Sequence, residues 1–293
     1  MAMRIGTRAR AKAAVKRPYL WARRARSTFV GGAARLLFGP NFKAIVVEGV
    51  SGEYVIDVRD QKVSRSLSRR GYGAEELERL SHIVDDTSRV LVVGAHVGAI
   101  VFPLAGIVAH VDAVEANPYT FRLLEMTQQI RQASNVTLHQ FAASEEAGEI
   151  TFLFNTENSG GSKRMPMTSD YAYVYDSPEI GKVRSARLDD VFSGARFDMI
   201  FMDIEGSEYF ALAGMPDLLS KVQTLVIEFI PHHLRNVASI DVADLLRVLK
   251  PGNFTRMIIP SKNVTVLGDE FEAELQAMMA ADEQDEGLIF TRN

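Results

Sequence analysis

The chain has 293 residues, 47% of them apolar, a formal net charge of −4 and no cysteine. That length and apolar content allow a sizeable core in one large domain or two small ones. The absence of cysteine excludes a disulfide framework and thiolate chemistry, and apolar runs too short to cross a bilayer make a cytoplasmic enzyme the expectation.

Charge divides the chain into two unlike parts. Residues 1–40 carry ten Lys and Arg and no Asp or Glu, whereas the remainder holds 23 basic and 37 acidic residues. A secretory signal is not expected, because no long apolar stretch with a small-residue cleavage site is present. Tyr19, Leu20, Trp21, Phe29, Leu36, Leu37 and Phe38 lie among the arginines. They fit an amphipathic segment resting on an anionic surface, such as the inner face of a membrane, and equally a solvated basic tail. No nucleic-acid module is recognisable, so nucleic acid is not an expected partner.

Residues 41–85 read as a small cap. Two β-rich runs between Phe42 and Asp60 flank a turn at Gly49 to Gly52, which is a hairpin pattern. Leu77, Leu80 and Ile83 then recur at helical spacing.

From residue 86 to the end, strand and helix patterns alternate, which predicts a parallel sheet with helices on both faces. Strands are expected at 90–93, 111–114, 136–141, 149–154, 198–203, 222–230, 254–259 and 287–291. Helices are expected at 98–109, at 118–133 with Pro118 in its first turn, after Glu208, at 241–249 and at 270–279. Residues 155–181 form a long polar connection, of a length that is uncommon without a function. Ser159, Gly160, Gly161, Lys163 and Arg164 lie in it as candidates for a lid, and Tyr171, Tyr173 and Tyr175 suit stacking on a sugar.

The first strand hands over to its helix through Gly94-Ala-His96-Val-Gly98, and the second ends on Glu115-Ala116-Asn117-Pro118. A carboxylate at that strand tip is placed to accept hydrogen bonds from both hydroxyls of a ribose. A dinucleotide site wants Gly-x-Gly-x-x-Gly to admit a pyrophosphate, and His96 stands where the second glycine would be. The turn suits the amino-acid end of S-adenosylmethionine better than NAD. Ser144 and Glu145, after the third strand, are candidates to edge an adenine pocket.

These blocks are followed in order by Arg187-Leu-Asp-Asp190, by Asp203-Ile-Glu205-Gly206-Ser207-Glu208 and by Val-Ile-Glu228. Together they resemble the FkbM-type family of S-adenosylmethionine-dependent methyltransferases over roughly residues 88–230. The resemblance implies the class I methyltransferase fold, a seven-stranded, mostly parallel sheet with the last strand antiparallel. It also implies O-methylation of a carbohydrate, glycolipid or related metabolite. The chain departs from the family pattern at Val92, where the family has Asp, and at His96, where it has Asn.

Asp203 and Glu205 end the fourth strand, where ligands bind in open α/β sheets. Residues two apart on an extended chain share a side, which brings both carboxylates toward one cleft. Glu208 is read as a cap of the following helix. Glu228 at the fifth strand's tip and His232 or His233 just beyond it approach the same edge. The expected catalytic group is therefore Asp203, Glu205, Glu228 and His232. Asp203 also belongs with the cofactor contacts Gly94, His96, Gly98, Glu115, Ala116, Asn117, Ala143 and Ser144. Such carboxylates could hold a divalent cation, but direct proton removal without a metal is the favoured scheme. The alternative from a different class is a membrane-associated binding protein that keeps the fold and has lost the reaction.

Overall fold

A computed structural model of the chain describes residues 36–39, 42–60, 62–63, 66–67, 73–168, 173 and 177–292. Most of the basic segment expected over residues 1–40, together with Tyr171 and Tyr175, lies outside the described residues. The expected hairpin is formed by β1 (Ala44–Gly49) and β2 (Gly52–Asp57), paired antiparallel across the turn. It is followed by helix α1 (Ala74–Ser81).

The β-branched run Arg89–Val93 forms β3, and helix α2 (Val101–Ala105) and strand β4 (His110–Glu115) follow. Helix α3 (Pro118–Arg131) starts at Pro118 because Asn117 caps it, its side chain accepting the Tyr119 N–H at 3.0 Å. Next come β5 (Val136–Gln140), β6 (Ala142–Ala143), β7 (Gly148–Phe154), β8 (Lys163–Arg164) and β9 (Glu179–Ala186). The second half holds α4 (Leu188–Val191), β10 (Met199–Met202), α5 (Glu208–Ala213), α6 (Pro216–Leu219) and β11 (Thr224–Phe229). Helices α7 (Pro231–His233) and α8 (Val242–Leu249) lead to β12 (Arg256–Ile259), β13 (Val264–Leu267), α9 (Phe271–Ala281) and β14 (Asp285–Thr291).

The main sheet runs β13-β12-β14-β11-β10-β3-β4-β5. Strands β11, β10, β3, β4 and β5 are parallel to their neighbours, while β14 lies antiparallel between β11 and β12. This is the expected class I arrangement with an eighth strand added. A turn at Pro260–Lys262, closed by Asn263 in left-handed backbone, folds β13 back on β12 and extends the edge.

Alternation along β3 sends Leu91 and Val93 to one face and Val90 and Val92 to the other. The first face packs with Ile200, Leu225, Leu245 and Leu275. The second packs with Tyr54 of the hairpin, Leu80 of α1, Leu104 and Leu124. The hairpin and α1 thus share one apolar core with the sheet.

Within the stretch expected as a long loop after residue 154, Lys163–Arg164 form β8 and β9 begins at Glu179. A second sheet of order β6-β9-β7-β8 forms there, with β7 and β9 paired antiparallel over Gly148–Phe154 and Glu179–Ala186. The polar residues 155–164 are carried on it as an arm across the carboxyl ends of the main strands.

Candidate active site

The arm and the ends of β3, β4 and β10 border a cleft. Of the residues singled out in the sequence, Gly94, His96, Glu115, Ala116, Ala143, Asp203 and Glu205 line it. Phe141, Ile150 and Phe152 supply an apolar wall near Ala143. Ser159, Gly160, Ser162 and Arg164 line it from the arm.

Glu115 sits at the tip of β4 and is 8% exposed. One carboxylate oxygen accepts the His96 N–H at 2.8 Å and the other the Asn117 N–H at 2.8 Å. Burial dominates these bonds and pushes the carboxyl up to about 7. Each oxygen keeps a lone pair for a further donor. Gly94 is required by its surroundings: at φ +94° a Cβ would lie 1.9 Å from the Asp203 carbonyl oxygen. The chain can bring the two strand ends together only with glycine there.

His96 reaches across the cleft mouth. Its Nε2 lies 2.6 Å from the Ser159 hydroxyl, which in turn donates to Asp60. The Ser159 N–H also donates to Asp60, at 3.2 Å. Burial lowers the His96 pKa, which favours a neutral ring. A chain of three side chains thus ties the cap, the arm and the turn after β3.

Three expected contacts do not border the cleft. Gly98 packs against Phe102, Asn117 caps α3, and the Ser144 hydroxyl donates to Glu145 at 2.6 Å. Val92, where the family pattern has Asp, is 0% exposed in the core on the hairpin side, whereas Val93 is the neighbour that lines the cleft. An Asp at 92 would be buried among apolar side chains, so restoring the family residue there is not a route to tighter cofactor binding.

The other end of the cleft is acidic. Burial pushes Asp203 up to about 8, with Glu205 and Glu208 adding to the effect. Glu205 adopts φ +56° and is followed by Gly206 at φ +97°, where a Cβ would meet Val237 and His233. Strained backbone of this kind gathers at sites where a side chain must be aimed. Burial pushes Glu208 up to about 7, and its carboxylate accepts the Ile204 N–H at 2.9 Å, which ties the loop before α5 rather than capping the helix. Glu228 is raised well above its ordinary range by burial and by the acids around it.

Of the two histidines, His233 rather than the expected His232 faces the acids. His232 Nδ1 lies 2.8 Å from the Tyr173 hydroxyl, while His233 faces the acids, 3.6 Å from Glu205 and 3.5 Å from Glu228. Successive residues on a helix turn point in different directions, so only one could do so. Glu205, Glu228 and His233 bring one ligand-type atom each within 4.8 Å of one another. The cation that meets them from the protein itself is Lys163, whose ammonium donates to Glu205 at 2.9 Å and lies 3.4 Å from His233 Nε2.

The sequence model of the methyltransferase FkbM domain matches residues 93–254, from the last residue of β3 to just before β12, which hold the cleft-lining residues but not Asp60. The chain belongs to the FkbM methyltransferase family. No curated protein matches the sequence significantly. Among solved structures, the FkbM methyltransferase of Methylobacillus flagellatus KT is similar at 19% identity with a TM-score of 0.44. The match covers 71% of this chain and 44% of that one, so this chain spans less than half of its length. The N-terminal domain of EvdMO1 with SAH bound is similar at 14% identity and a TM-score of 0.41, covering 76% of this chain and 82% of that one. M. jannaschii TYW2 in complex with AdoMet is similar at 12% identity and a TM-score of 0.41, covering 85% of each chain.

Within the FkbM domain of this chain, sequence reasoning placed the strand-end carboxylates and missed what crosses to them. Asp60 carries no local signal beyond a polar residue after a strand. Lys163 and Ser159 stood out only as members of a polar loop, and their partners at 205, 96 and 60 are far away in sequence.

Proposed function

We propose that the chain binds S-adenosylmethionine in this cleft and transfers its methyl group to a hydroxyl of a carbohydrate, glycolipid or related metabolite. The observation that supports this most is the pair of acidic ends of one cleft, Glu115 at the tip of β4 and Asp203 with Glu205 at the tip of β10. Glu115 is suited to a ribose diol, whose hydroxyls would give its buried carboxylate the donors it lacks. The apolar wall of Phe141, Ile150 and Phe152 suits an adenine ring. The carboxyl groups at 203 and 205 suit the amino-acid end of the cofactor as hydrogen-bonding partners. The two cations on the arm offer phosphates little, since Lys163 and Arg164 are already paired with Glu205 and Glu145.

The bound cofactor supplies an electrophilic methyl group. The protein's part is to hold an acceptor hydroxyl in line beside Asp203 and Glu205, to exclude water with the arm, and to take the hydroxyl proton. Titration calorimetry with S-adenosylmethionine, S-adenosylhomocysteine and NAD tests the reading. The first two are expected to bind and NAD is not, and Glu115→Ala is expected to weaken binding about tenfold or more, as for one or two charge-assisted hydrogen bonds. Equal affinity of parent and variant, or preference for NAD, rejects it.

A further inference from the structure

Four carboxyl groups surround the acidic end of the cleft, and only one can be the group that takes a proton from the acceptor. Among the described residues Asp203, Glu208 and Glu228 have no Lys or Arg within ion-pair distance, and the basic side chain beside Glu228 is His233. Glu205 has Lys163. The ammonium donates to Glu205 Oε2 at 2.9 Å, and the two side chains are 6% and 22% exposed. No described residue donates to Oε1, and Glu205 lines the cleft. An ammonium this buried is tolerable only beside a charged partner, since either ion alone would carry its full desolvation penalty.

We propose that Lys163 selects Glu205 as the proton acceptor of the site, and that it does so only while the arm lies across the cleft. The proposal rests on the methyl-transfer reading above. In the step, the acceptor hydroxyl passes its proton to Glu205 Oε1 while its oxygen bonds to the methyl carbon. The electron pair of the broken carbon–sulfur bond stays on sulfur.

The surroundings of Glu205 agree with this choice. Burial is the largest influence on Glu205 and disfavours its charge, but the Lys163 ammonium and His233 together hold the carboxyl below the ordinary glutamate range. Lys62, on the segment after β2, acts in the same direction. Asp203 and Glu208, by contrast, are pushed up to about 8 and about 7. On the far side, burial and then Lys163 bring His233 down to about 4, so a neutral imidazole does not compete with the ammonium for Glu205. Environments that drive neighbouring carboxyls apart mark which is base and which are acids.

The coupling to the arm is structural. Lys163 is held because β8 pairs with β7, Leu153 opposite Lys163 and Phe152 opposite Arg164. Two further ties hold the arm, Ser159 to His96 and Asp60, and Arg164 to Glu145. When the arm lifts, the ammonium leaves with it. Glu205 is then one more carboxyl beside Asp203 and Glu208 and takes up a proton itself. The positioning residue is Lys163, and the base exists only in the closed site.

The test is a carboxyl-carbon NMR titration of the full chain labelled at Glu and Asp, with E205Q, E208Q and D203N used for assignment. Glu205 is expected to remain ionised to lower pH than Asp203, Glu208 and Glu228. In K163M its midpoint is expected to rise by roughly one to three pH units, as on loss of an adjacent opposite charge, and K163R restores it. A Glu205 midpoint that K163M leaves in place overturns the proposal, and so does a wild-type chain in which Glu205 titrates above Glu208. The wild-type order and K163R decide the matter if K163M does not fold. Calorimetry with S-adenosylhomocysteine on the same sample separates the two levels. The expected titration order without binding rejects the methyl-transfer reading, whereas binding with the wrong order rejects only the role of Lys163.

Discussion

At Glu115 two requirements oppose each other. The carboxylate must be charged to hold donors, and burial at the end of β4 penalises that charge. The folded-state value of about 7 exceeds the ordinary 4.5, so the folded chain binds this proton more tightly than the unfolded one. Stability from this group is therefore full below about 4.5 and declines as pH rises toward about 7. The loss is at most about 3 kcal/mol for a difference of this size. Asp203, Glu208 and Glu228 are raised as well and act in the same direction, so the difference between two proteins is the useful quantity. Glu115→Gln is expected to flatten the fall in denaturation midpoint over this window in the ligand-free chain. Urea unfolding at a series of pH values measures it, and parallel curves for parent and variant would contradict the assignment. A bound ribose would offset the penalty, so ligand is expected to stabilise the parent more than the variant.

At the scale of an element, the arm over residues 155–164 closes the cleft with side chains drawn from three parts of the chain. Ser159 is its central tie, bonded to His96 and Asp60. Ser159→Ala removes both hydroxyl bonds, so the His96 ring loses its contact with the arm, while the backbone N–H bond from residue 159 to Asp60 remains. A loss of about 1–3 kcal/mol is expected for the closed arm. The global melting temperature should change little, because β7 and β9 hold the second sheet independently. Hydrogen exchange at residues 159–164 is expected to quicken by an order of magnitude or more, and unchanged protection would show that the arm is held by other means.

The same element shows what the sequence could and could not disclose. The strand-to-glycine and strand-to-carboxylate junctions at Gly94, Glu115, Asp203 and Glu228 were legible, because period-two apolar runs ending on a special residue are local patterns. The arm was read only as a candidate lid, and its pairing was not legible: Asn155 to Ser162 has the composition of a loop, and β8 is two residues long, formed by pairing rather than propensity. His232 and His233 were indistinguishable until the direction of α7 was fixed. The orientation of Val92 could have been read from alternation, since Val93 and Val92 cannot face the same side.

For the whole molecule, charge is distributed in a way that the cleft does not explain. The body after residue 40 is acidic, and the first 40 residues carry ten Lys and Arg without an acid. Where the described chain begins, Leu36, Leu37 and Phe38 are 88%, 77% and 69% exposed, and the Phe38 ring lies 4.7 Å from that of Phe42. No helix among the described residues is long and apolar enough to cross a membrane. Basic residues beside exposed apolar ones are the composition of a segment that lies on an anionic bilayer, each Lys or Arg contributing roughly 1 kcal/mol near the surface. The full chain is therefore expected to co-sediment with phosphatidylserine-containing vesicles at low salt and to be released at high salt, where the Debye length shortens to a few ångströms. A chain starting at Phe42 keeps β1 and the core residues Tyr54, Ile56 and Leu80, so it is expected to fold, to stay off the vesicles and to retain cofactor affinity. Vesicle binding that persists in the shortened chain would move the contact to the acidic body, and failure of the shortened chain to fold would make the head part of the core.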